Sequence, residues 1–321
     1  MRARSAWWAG RSALTSLFVF FVCSDGFAAG DAPRAVTHGQ EISRGFVGPE
    51  VLGRNSGRNV EGAVITDGTV PRYATVVAEA ATYDGFAVPG PHVLIEDVTI
   101  NGALDISVAI PVVLRRVTMF APQDLPWLVL VRPGAGALHV LWSDIGGAKI
   151  KRSASPHVGV ALALRGDGAR IYRSRIGAAA DGVQIGGRDV QILESEIANL
   201  LARSGDHNDA IQMFDGAADI EITRCRIENR HAQTSAVTVL GRTVTLRSNL
   251  LAGGGWTLYG GAKRNGKGGD GARGVRVEDN VFSRAFSATS GSFGPVTYWD
   301  TAGGNVWVNN RFESGLPVVA P

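Results

Sequence analysis

The segment VQILESEI (190–197) is the strongest indication of the fold, because its pattern recurs at eight other places along the chain. Across the nine copies, the first, third and last positions are almost always apolar. The nine copies are VLIEDVTI (93–100), VVLRRVTM (112–119), LHVLWSDI (138–145), ARIYRSRI (169–176), VQILESEI (190–197), IEITRCRI (220–227), VTLRSNLL (244–251), VRVEDNVF (275–282) and NVWVNNRF (305–312). They follow one another at steps of 19 to 31 residues, a period typical of repeat proteins.

Most copies are followed by a second segment in which apolar residues alternate. These segments cover 128–131, 160–164, 182–185, 210–214, 236–240, 256–259 and 296–299. A unit of this size cannot bury its own apolar face, so neighbouring units must stack on one another. A coil of sheet with one repeat per turn does this and places equivalent residues of adjacent turns about 4.8 Å apart.

The sixth position of each copy holds a small or polar residue in most turns. The nine residues are Val98, Val117, Ser143, Ser174, Ser195, Cys225, Asn249, Asn280 and Asn310. This pattern predicts an inward corner of the coil where like side chains form a ladder, so the three asparagines are interpreted as structural. A β-sandwich and a propeller are the alternatives, although propeller blades are longer and hold four strands. After residue 31 the sequence has no long helical periodicity, which argues against βαβ units.

The repeat, the asparagine ladder and the segment HNDAIQ (207–212) resemble the secreted right-handed parallel β-helix proteins of the pectate-lyase-like (pectin lyase fold) superfamily. The resemblance covers about residues 83–315. It implies an all-β chain folded as a right-handed parallel β-helix, a single-stranded solenoid of about nine to ten turns. It also implies a polysaccharide partner, although this fold carries lyases, hydrolases, epimerases and non-catalytic binders. Residues 30–82 are expected to form an N-terminal cap, and 316–321 a tail.

The first 29 residues have the pattern of a secretory signal peptide: three arginines, the apolar run 14–23 and then small residues. The mature protein is therefore expected to be secreted or periplasmic, with no membrane span, because this apolar run is too short to cross a bilayer. Without the segment the formal net charge of +3 falls to about +1, which does not favour nucleic acid as a partner. With Cys225 as the remaining cysteine, the mature protein must fold without an internal disulfide; a monomer is expected.

The loops that follow the repeat copies contain many of the chain's few histidine and lysine residues. They cover 146–157, 177–181, 198–209 and 228–234, and hold three of the six histidines and two of the four lysines. Loops at one angular position of a coil stack along one side, so their side chains are expected to share a surface. Those side chains are Lys149, Lys151, Arg152, His157, Asp181, Arg203, Asp206, His207, Asp209, Arg230 and His231.

The register of three segments makes this expectation more specific. Asp181 precedes Val183 in DGVQI by two residues, and Asp209 and Ser235 hold the same place in DAIQM and SAVTV. The three residues should therefore stack, with the two carboxylates about one strand spacing apart. His207 lies two residues before Asp209, so in an extended chain it points to the same side. Stacked carboxylates repel each other, which raises one pKa unless a cation, a proton or an arginine lies between them.

The leading functional hypothesis is a lyase that cleaves an acidic, uronate-containing polysaccharide by β-elimination. Arg203, Arg230 or a cation would neutralise the substrate carboxylate. His207, Lys149 or Lys151 would take the carbon-bound proton. His157 and His231 are candidate substrate-binding residues on the same surface. Calcium held by Asp181, Asp206 and Asp209 is the candidate cation, although the chain departs from the pectate-lyase calcium pattern.

Three other interpretations remain open at this point. A non-catalytic carbohydrate-binding or surface-structural coil is the alternative, and a glycoside hydrolase using Asp181 and Asp209 as a carboxylate pair comes third. The structural interpretation is that both aspartates accept backbone N–H groups where a turn begins. Tyr259 and Trp299 are expected to point outward as a sugar platform, with Trp256 and Tyr298 inward. The sequence contains no P-loop, GxSxG, CxxC or HExxH motif.

Overall fold

A computed structural model describes residues 58–146, 156–261, 271–301 and 303–321. The predicted signal peptide, Lys149, Lys151 and Arg152 lie outside these residues. All described residues belong to one compact unit, Gly39–Pro321. The described part of the chain contains no helix, and so none that is long and apolar enough to cross a membrane.

The described residues form 29 short strands. Their bounds are β1 Arg58–Ile65, β2 Thr75–Val77, β3 Ala81–Tyr83, β4 Phe86–Val88, β5 His92–Glu96, β6 Val98–Ile106, β7 Val112–Arg115, β8 Thr118–Phe120, β9 Leu125–Val131, β10 Leu138–Leu141, β11 Asp144–Ile145, β12 Val158–Leu164, β13 Arg170–Tyr172, β14 Arg175–Ile176, β15 Asp181–Ile185, β16 Arg188–Leu193, β17 Glu196–Ile197, β18 Asp209–Met213, β19 Ala218–Thr223, β20 Arg226–Asn229, β21 Ser235–Thr238, β22 Arg242–Arg247, β23 Leu250–Gly253, β24 Trp256–Tyr259, β25 Arg276–Glu278, β26 Val281–Ser283, β27 Gly294–Thr297, β28 Val306–Val308 and β29 Arg311–Phe312.

Most turns of the coil contain three strands, and each strand pairs in parallel with its equivalents in the turns before and after. The turn made by β10, β11 and β12 is typical: these strands pair with β13, β14 and β15 of the next turn. The first strands form a ten-stranded sheet, and the second and third strands together form a seventeen-stranded sheet. The all-β parallel β-helix predicted from the repeat is thereby confirmed.

The sixth positions of the nine copies form one buried column. Each of these residues is at most 3% exposed, and the paired residues beside them are in register, as in Asp144↔Arg175 and Arg226↔Leu250. The side-chain oxygens of the column's serines and asparagines accept the backbone N–H of the equivalent residue one turn earlier. Ser174 Oγ accepts from Ser143 N at 3.0 Å, and Asn280 Oδ1 accepts from Asn249 N at 2.9 Å. The predicted ladder satisfies backbone donors that the corner would otherwise leave buried without a partner.

The residue before this column makes the corner. In all nine copies the fifth residue has a positive φ, between 46° and 56°, and none of the nine is glycine. In eight of the nine copies its N–H donates to a carbonyl of the next turn, as from Arg173 to Leu193 O at 3.2 Å; Asn309 lies in the last copy. This hydrogen bond holds the backbone in the left-handed region, which a non-glycine residue occupies only where its surroundings fix it.

Each end of the coil is covered by a segment of the chain that lies beyond the regular turns. At the N-terminal side β1 pairs in parallel with β6, and β2 pairs antiparallel with β5. At the C-terminal side Val318 N donates to Asn310 O at 2.8 Å, and Trp307 Nε1 donates to Val318 O at 2.8 Å. Pairing of this kind occupies strand edges that would otherwise recruit another chain.

Candidate functional site

The candidate site lies on the outer face of the third strands, around β15, β18 and β21. Each of these strands has two consecutive residues facing the core, so the usual alternation is interrupted. Gly182 and Val183 are both buried, and a Cβ atom on Gly182 would lie 2.5 Å from Cγ2 of the core residue Ile197. Asp181 and Gln184 therefore share the outer face although they are three residues apart, and Gln184 Nε2 donates to Asp181 Oδ2 at 2.7 Å.

Asp181, Asp209 and Ser235 stack as the sequence predicts. Asp181 Oδ1 accepts the backbone N–H of Asp209 at 2.9 Å, and Asp209 Oδ1 accepts that of Ser235 at 3.0 Å. As in the inner column, a side-chain oxygen accepts a backbone N–H of a neighbouring turn, but here the donor lies in the following turn and not in the preceding one. The hydroxyls of Ser235 and Thr238 also donate to Asp209 Oδ1. The hydrogen bonds thus match the structural interpretation of these two aspartates.

Burial changes the acidity of both carboxylates. Asp209 is 2% exposed, and loss of solvation raises its pKa to about 7, against the opposing effect of its hydrogen bond from Ser235. The negative charge of Asp181 raises it further. Burial also raises the pKa of Asp181, whereas the backbone N–H of Asp209 and the side chain of Gln184 lower it. Near neutral pH, Asp209 is a group that changes charge inside the wall of the coil.

His207 lies at the edge of this group and is exposed. Its electrostatic effect on Asp181 lowers the pKa of that carboxylate, so the two side chains are near each other. The next residue, Asn208, is fully buried and holds the loop in place, because its Nδ2 donates to Ala180 O at 2.8 Å and to Leu201 O at 3.2 Å. An exposed imidazole on a fixed backbone beside a buried carboxylate is suited to proton transfer or to ligand binding.

The remaining histidines of the loops are engaged with neighbouring turns. His157 Nε2 lies 3.0 Å from Asp206 Oδ2, which also accepts the backbone N–H of Arg203 at 2.6 Å. His231 Nε2 donates to Leu200 O at 2.9 Å. These contacts tie the loops of three turns together. His157 also lines a shallow, open depression of 310 Å³ with Asp124, Leu125, Pro126 and Gly159.

The two predicted arginines are exposed, as the surface prediction requires. Arg203 Nη1 donates to Asp124 Oδ2 at 3.0 Å, in an ion pair whose side chains are 50% and 65% exposed. Such a pair contributes little to stability and can be exchanged for a ligand carboxylate. Arg230 is likewise exposed, beside His231.

The predicted calcium site is not assembled. Asp206 faces His157 and the backbone of Arg203, while Asp181 and Asp209 accept hydrogen bonds from protein donors. Among the described residues no group of three or more His, Cys, Asp or Glu side chains could hold a metal ion. Asp181 and Asp209 each use one carboxylate oxygen to accept a backbone N–H of the next turn, and Asp206 is bound on its own loop and by His157.

Two outward columns define the site more fully than the sequence did. One contains Asp181, Asp209, Ser235 and Trp256, and the other contains Gln184, Gln212, Thr238 and Tyr259. We use the name polar strip for Asp181, Gln184, Asp209, Gln212, Ser235 and Thr238. Gln184, Gln212 and Thr238 were missed in the sequence because simple alternation does not place them beside the aspartates. They could be predicted from the polar residue that recurs three positions after each of Asp181, Asp209 and Ser235.

The prediction for the aromatic residues is wrong for three of the four. Trp256, expected to point inward, is half-buried and pairs in register with Ser235 in an outward column. Trp299 is 8% exposed and packs against Trp307, with ring centroids 5.2 Å apart, so it belongs to the core and not to a sugar platform. Tyr298 is 36% exposed instead. The cause is the φ of +51° at Tyr298, which turns the chain directly after β27 and ends the alternation there. Tyr259 is half-buried on the outer face, as predicted.

A further charged row lies on the second strands, away from the polar strip. Asp144 and Arg175 form an ion pair at 3.0 Å, and Arg226 contacts Glu228 at 2.7 Å and Glu196 at 4.0 Å. Opposite charges follow one another from turn to turn, which is the favourable order for cross-strand neighbours. This row is interpreted as a structural ion-pair ladder.

Comparisons with known proteins identify no family for this chain. No protein-family model matches it, and no curated protein matches it in sequence. Among solved structures it is similar to the crystal structure of the Dettilon tailspike protein (gp208), with 14% sequence identity and a TM-score of 0.38. The alignment covers 80% of this chain and 55% of the tailspike chain, so this chain spans about half of its length.

Proposed function

We propose that this protein binds a polysaccharide on the outer face of its third strands. The observation that carries the proposal is the polar strip: amide, hydroxyl and carboxylate groups aligned over three consecutive turns. Neighbouring members of each column are about 4.8 Å apart, comparable with the length of one sugar residue in an extended polysaccharide. A ligand that repeats its own hydrogen-bonding groups can therefore meet a similar set of partners at every turn.

The chemistry of the strip favours sugar hydroxyls. Gln212 carries a donor and an acceptor on one planar amide and is partly exposed. Gln184 is also partly exposed; its amide accepts from Arg165 Nη2 and donates to Asp181 Oδ2, which leaves one N–H and one oxygen lone pair for a ligand. The hydroxyls of Ser235 and Thr238 both contact Asp209 Oδ1 and lie 2.8 Å from each other, and Thr238 forms the partly exposed end of this network. Such neutral, directional groups suit the vicinal hydroxyls of sugars.

Cleavage of a uronate-containing polysaccharide by β-elimination is the catalytic form of the proposal. His207 would take the proton from the carbon next to the uronate carboxylate, while Arg203 or Arg230 neutralises that carboxylate. The released electron pair forms a carbon–carbon double bond as the bond to the glycosidic oxygen breaks, and this oxygen takes up a proton. The exposure of His207 beside Asp181 supports this form. Hydrolysis has weaker support, because Asp209 is 2% exposed and already accepts three hydrogen bonds.

One panel experiment separates these outcomes. The purified protein is mixed with neutral and uronate-containing polysaccharides, and three signals are followed: binding by calorimetry, ultraviolet absorbance of an unsaturated product, and new reducing ends. We expect binding that is weakened by the double substitution Gln184→Ala/Gln212→Ala. If elimination occurs, the absorbance rises and His207→Ala abolishes the rise without abolishing binding.

The matched control is Gln191→Ala, because Gln191 is also a half-buried strand glutamine but lies on the ten-stranded sheet, where it contacts Glu221. It should bind like the unsubstituted protein. Absence of binding to every polysaccharide, or equal weakening by Gln191→Ala, contradicts the proposal. Reducing ends without ultraviolet absorbance would replace elimination with hydrolysis.

A further inference from the structure

The polar strip is continued by aromatic rings in the next two turns. Trp256 pairs in register with Ser235, and Tyr259 with Thr238, so the same two outward columns change from polar to aromatic at β24. Tyr298 stacks on Tyr259 with ring centroids 5.9 Å apart and an interplanar angle of 29°. Phe293 lies 6.3 Å from Trp256, measured between ring centroids. We use the name aromatic platform for Trp256, Tyr259, Phe293 and Tyr298.

Glycines make room for two of these rings. A Cβ atom at Gly294 would come within 2.5 Å of Trp256 Cζ3, and one at Gly255 would come within 3.3 Å of the Phe293 ring. The rings of Trp256 and Phe293 therefore lie against bare backbone. The loop that carries Phe293 is fixed as well, since Phe293 N donates to Gly255 O at 2.7 Å. A ring held by backbone loses little rotamer freedom when it binds a ligand.

The exposure of the platform calls for a partner. Phe293 is 69% exposed and Tyr298 is 36% exposed, next to two further aromatic side chains on the same face. Grouped, rigid aromatic side chains at the surface mark sites of interaction. The negative face of an aromatic ring attracts weakly positive hydrogen atoms, which are what the C–H face of a pyranose ring presents. Continuity with a row of hydrogen-bonding groups in the same columns favours a sugar chain over an apolar protein segment.

We propose that the aromatic platform provides stacking subsites for pyranose rings, and that the bound polysaccharide crosses the strands along the axis of the coil. This proposal rests on the function proposed above and adds the direction of the ligand and the minimum length that it must have. From β15 to β27 the face covers four strand spacings, or about 19 Å. Only an oligosaccharide of several residues can contact the polar strip and the platform together.

The test uses two size series as probes: oligogalacturonates, which are acidic, and cello-oligosaccharides, which are neutral. Calorimetry measures the affinity of each length for the unsubstituted protein and for Phe293→Leu, Phe293→Tyr and Phe286→Leu. Leucine keeps the apolar character but removes the flat ring, whereas tyrosine keeps the ring. Phe286 is the matched control: it lies on the same loop and is 43% exposed, but its ring lies over the second strand β23, where a Cβ atom on Gly253 would come within 3.1 Å of Phe286 Cδ2.

We expect affinity to rise with length until the ligand reaches the platform. Phe293→Leu should weaken the long ligands by roughly three- to tenfold, the effect of losing one aromatic contact, and should leave the short ones unchanged. Phe293→Tyr and Phe286→Leu should bind like the unsubstituted protein.

Several results overturn the proposal, and they are distinguishable from failure of the proposed function. If Phe293→Leu binds long ligands normally while Gln184→Ala/Gln212→Ala weakens them, the platform is refuted and the polar strip stands. If neither series binds, both proposals fail for these sugars. If Phe293→Leu instead lowers the molecular mass measured by light scattering, the platform is a contact between two copies of the chain, and the sugar proposal is refuted.

Discussion

Replacing Asp209 by asparagine should stabilise the protein at neutral and alkaline pH. The carboxyl is 2% exposed, and its burial raises its pKa from 3.8 to about 7. The folded state therefore binds a proton that the unfolded state has already released, and stability falls as the pH rises from about 4 to 7. A shift of about three pKa units corresponds to about 4 kcal/mol at the upper limit, since each unit is worth about 1.4 kcal/mol. Asparagine keeps an acceptor for Ser235 and Thr238 and has no charge to bury.

The assay is urea denaturation of both proteins at a series of pH values from 4 to 9. The difference in free energy of unfolding between Asp209→Asn and the unsubstituted protein should increase with pH and level off above the pKa of Asp209. Histidine titrations occur in both proteins and cancel in this difference. His207→Gln serves as the control, because it alters an exposed neighbour and should not reproduce the trend. A difference that stays constant across the whole pH range would show that Asp209 does not titrate there, and the argument from burial would be refuted.

Three other predictions concern the coil itself. Asn280→Ala removes the acceptor of Asn249 N and should cost about 2 to 4 kcal/mol by urea denaturation, whereas Asn280→Ser should cost less, because Ser143 and Ser174 accept the same bond in other turns. His139 is 4% exposed, and burial lowers its pKa to about 4. Stability should therefore decline as the pH falls from about 6.5 to 4, by at most about 3 kcal/mol, and His139→Leu should remove this decline. Cys225 is fully buried with a pKa raised to about 12, so in a Cys23→Ser background it should react with thiol reagents only after unfolding.

The inner column could be predicted from the sequence because its chemistry repeats at one position of every copy. The corner before it could not. The residues with positive φ there include Trp142, Arg173 and Glu194, which have no preference for the left-handed region. Their conformation comes from hydrogen bonds to the next turn, such as Trp142 N to Tyr172 O at 3.0 Å. Asp97, Asp279 and Asn309 are residue types that favour this region, but the other six positions are not, so residue identity alone does not reveal the corner.

The site was predictable to the extent that strand register alone determines it. The stack of Asp181, Asp209 and Ser235 follows from three aligned segments and is present. Two departures from simple alternation hid the rest. The paired inward residues Gly182 and Val183 bring Gln184 beside Asp181, and the positive φ of Tyr298 exchanges the expected positions of Tyr298 and Trp299. Bends of this kind depend on how the coil closes on itself, which local periodicity does not encode.

The choice of aspartate at positions 181 and 209 indicates a role beyond the ladder. In the inner column, neutral serine and asparagine oxygens accept the N–H of the neighbouring turn without a buried charge. Asparagine could do the same at Asp209, where ionisation of a buried carboxyl opposes folding at neutral pH. A residue that makes the protein less stable than a neutral residue would is typical of functional positions. An ionised Asp209 accepts from the hydroxyls of Ser235 and Thr238 together and fixes how they face the ligand. Asp209→Asn should therefore be more stable at pH 8 and bind the polysaccharide more weakly; a variant that is more stable and binds equally well would reduce Asp209 to a structural residue.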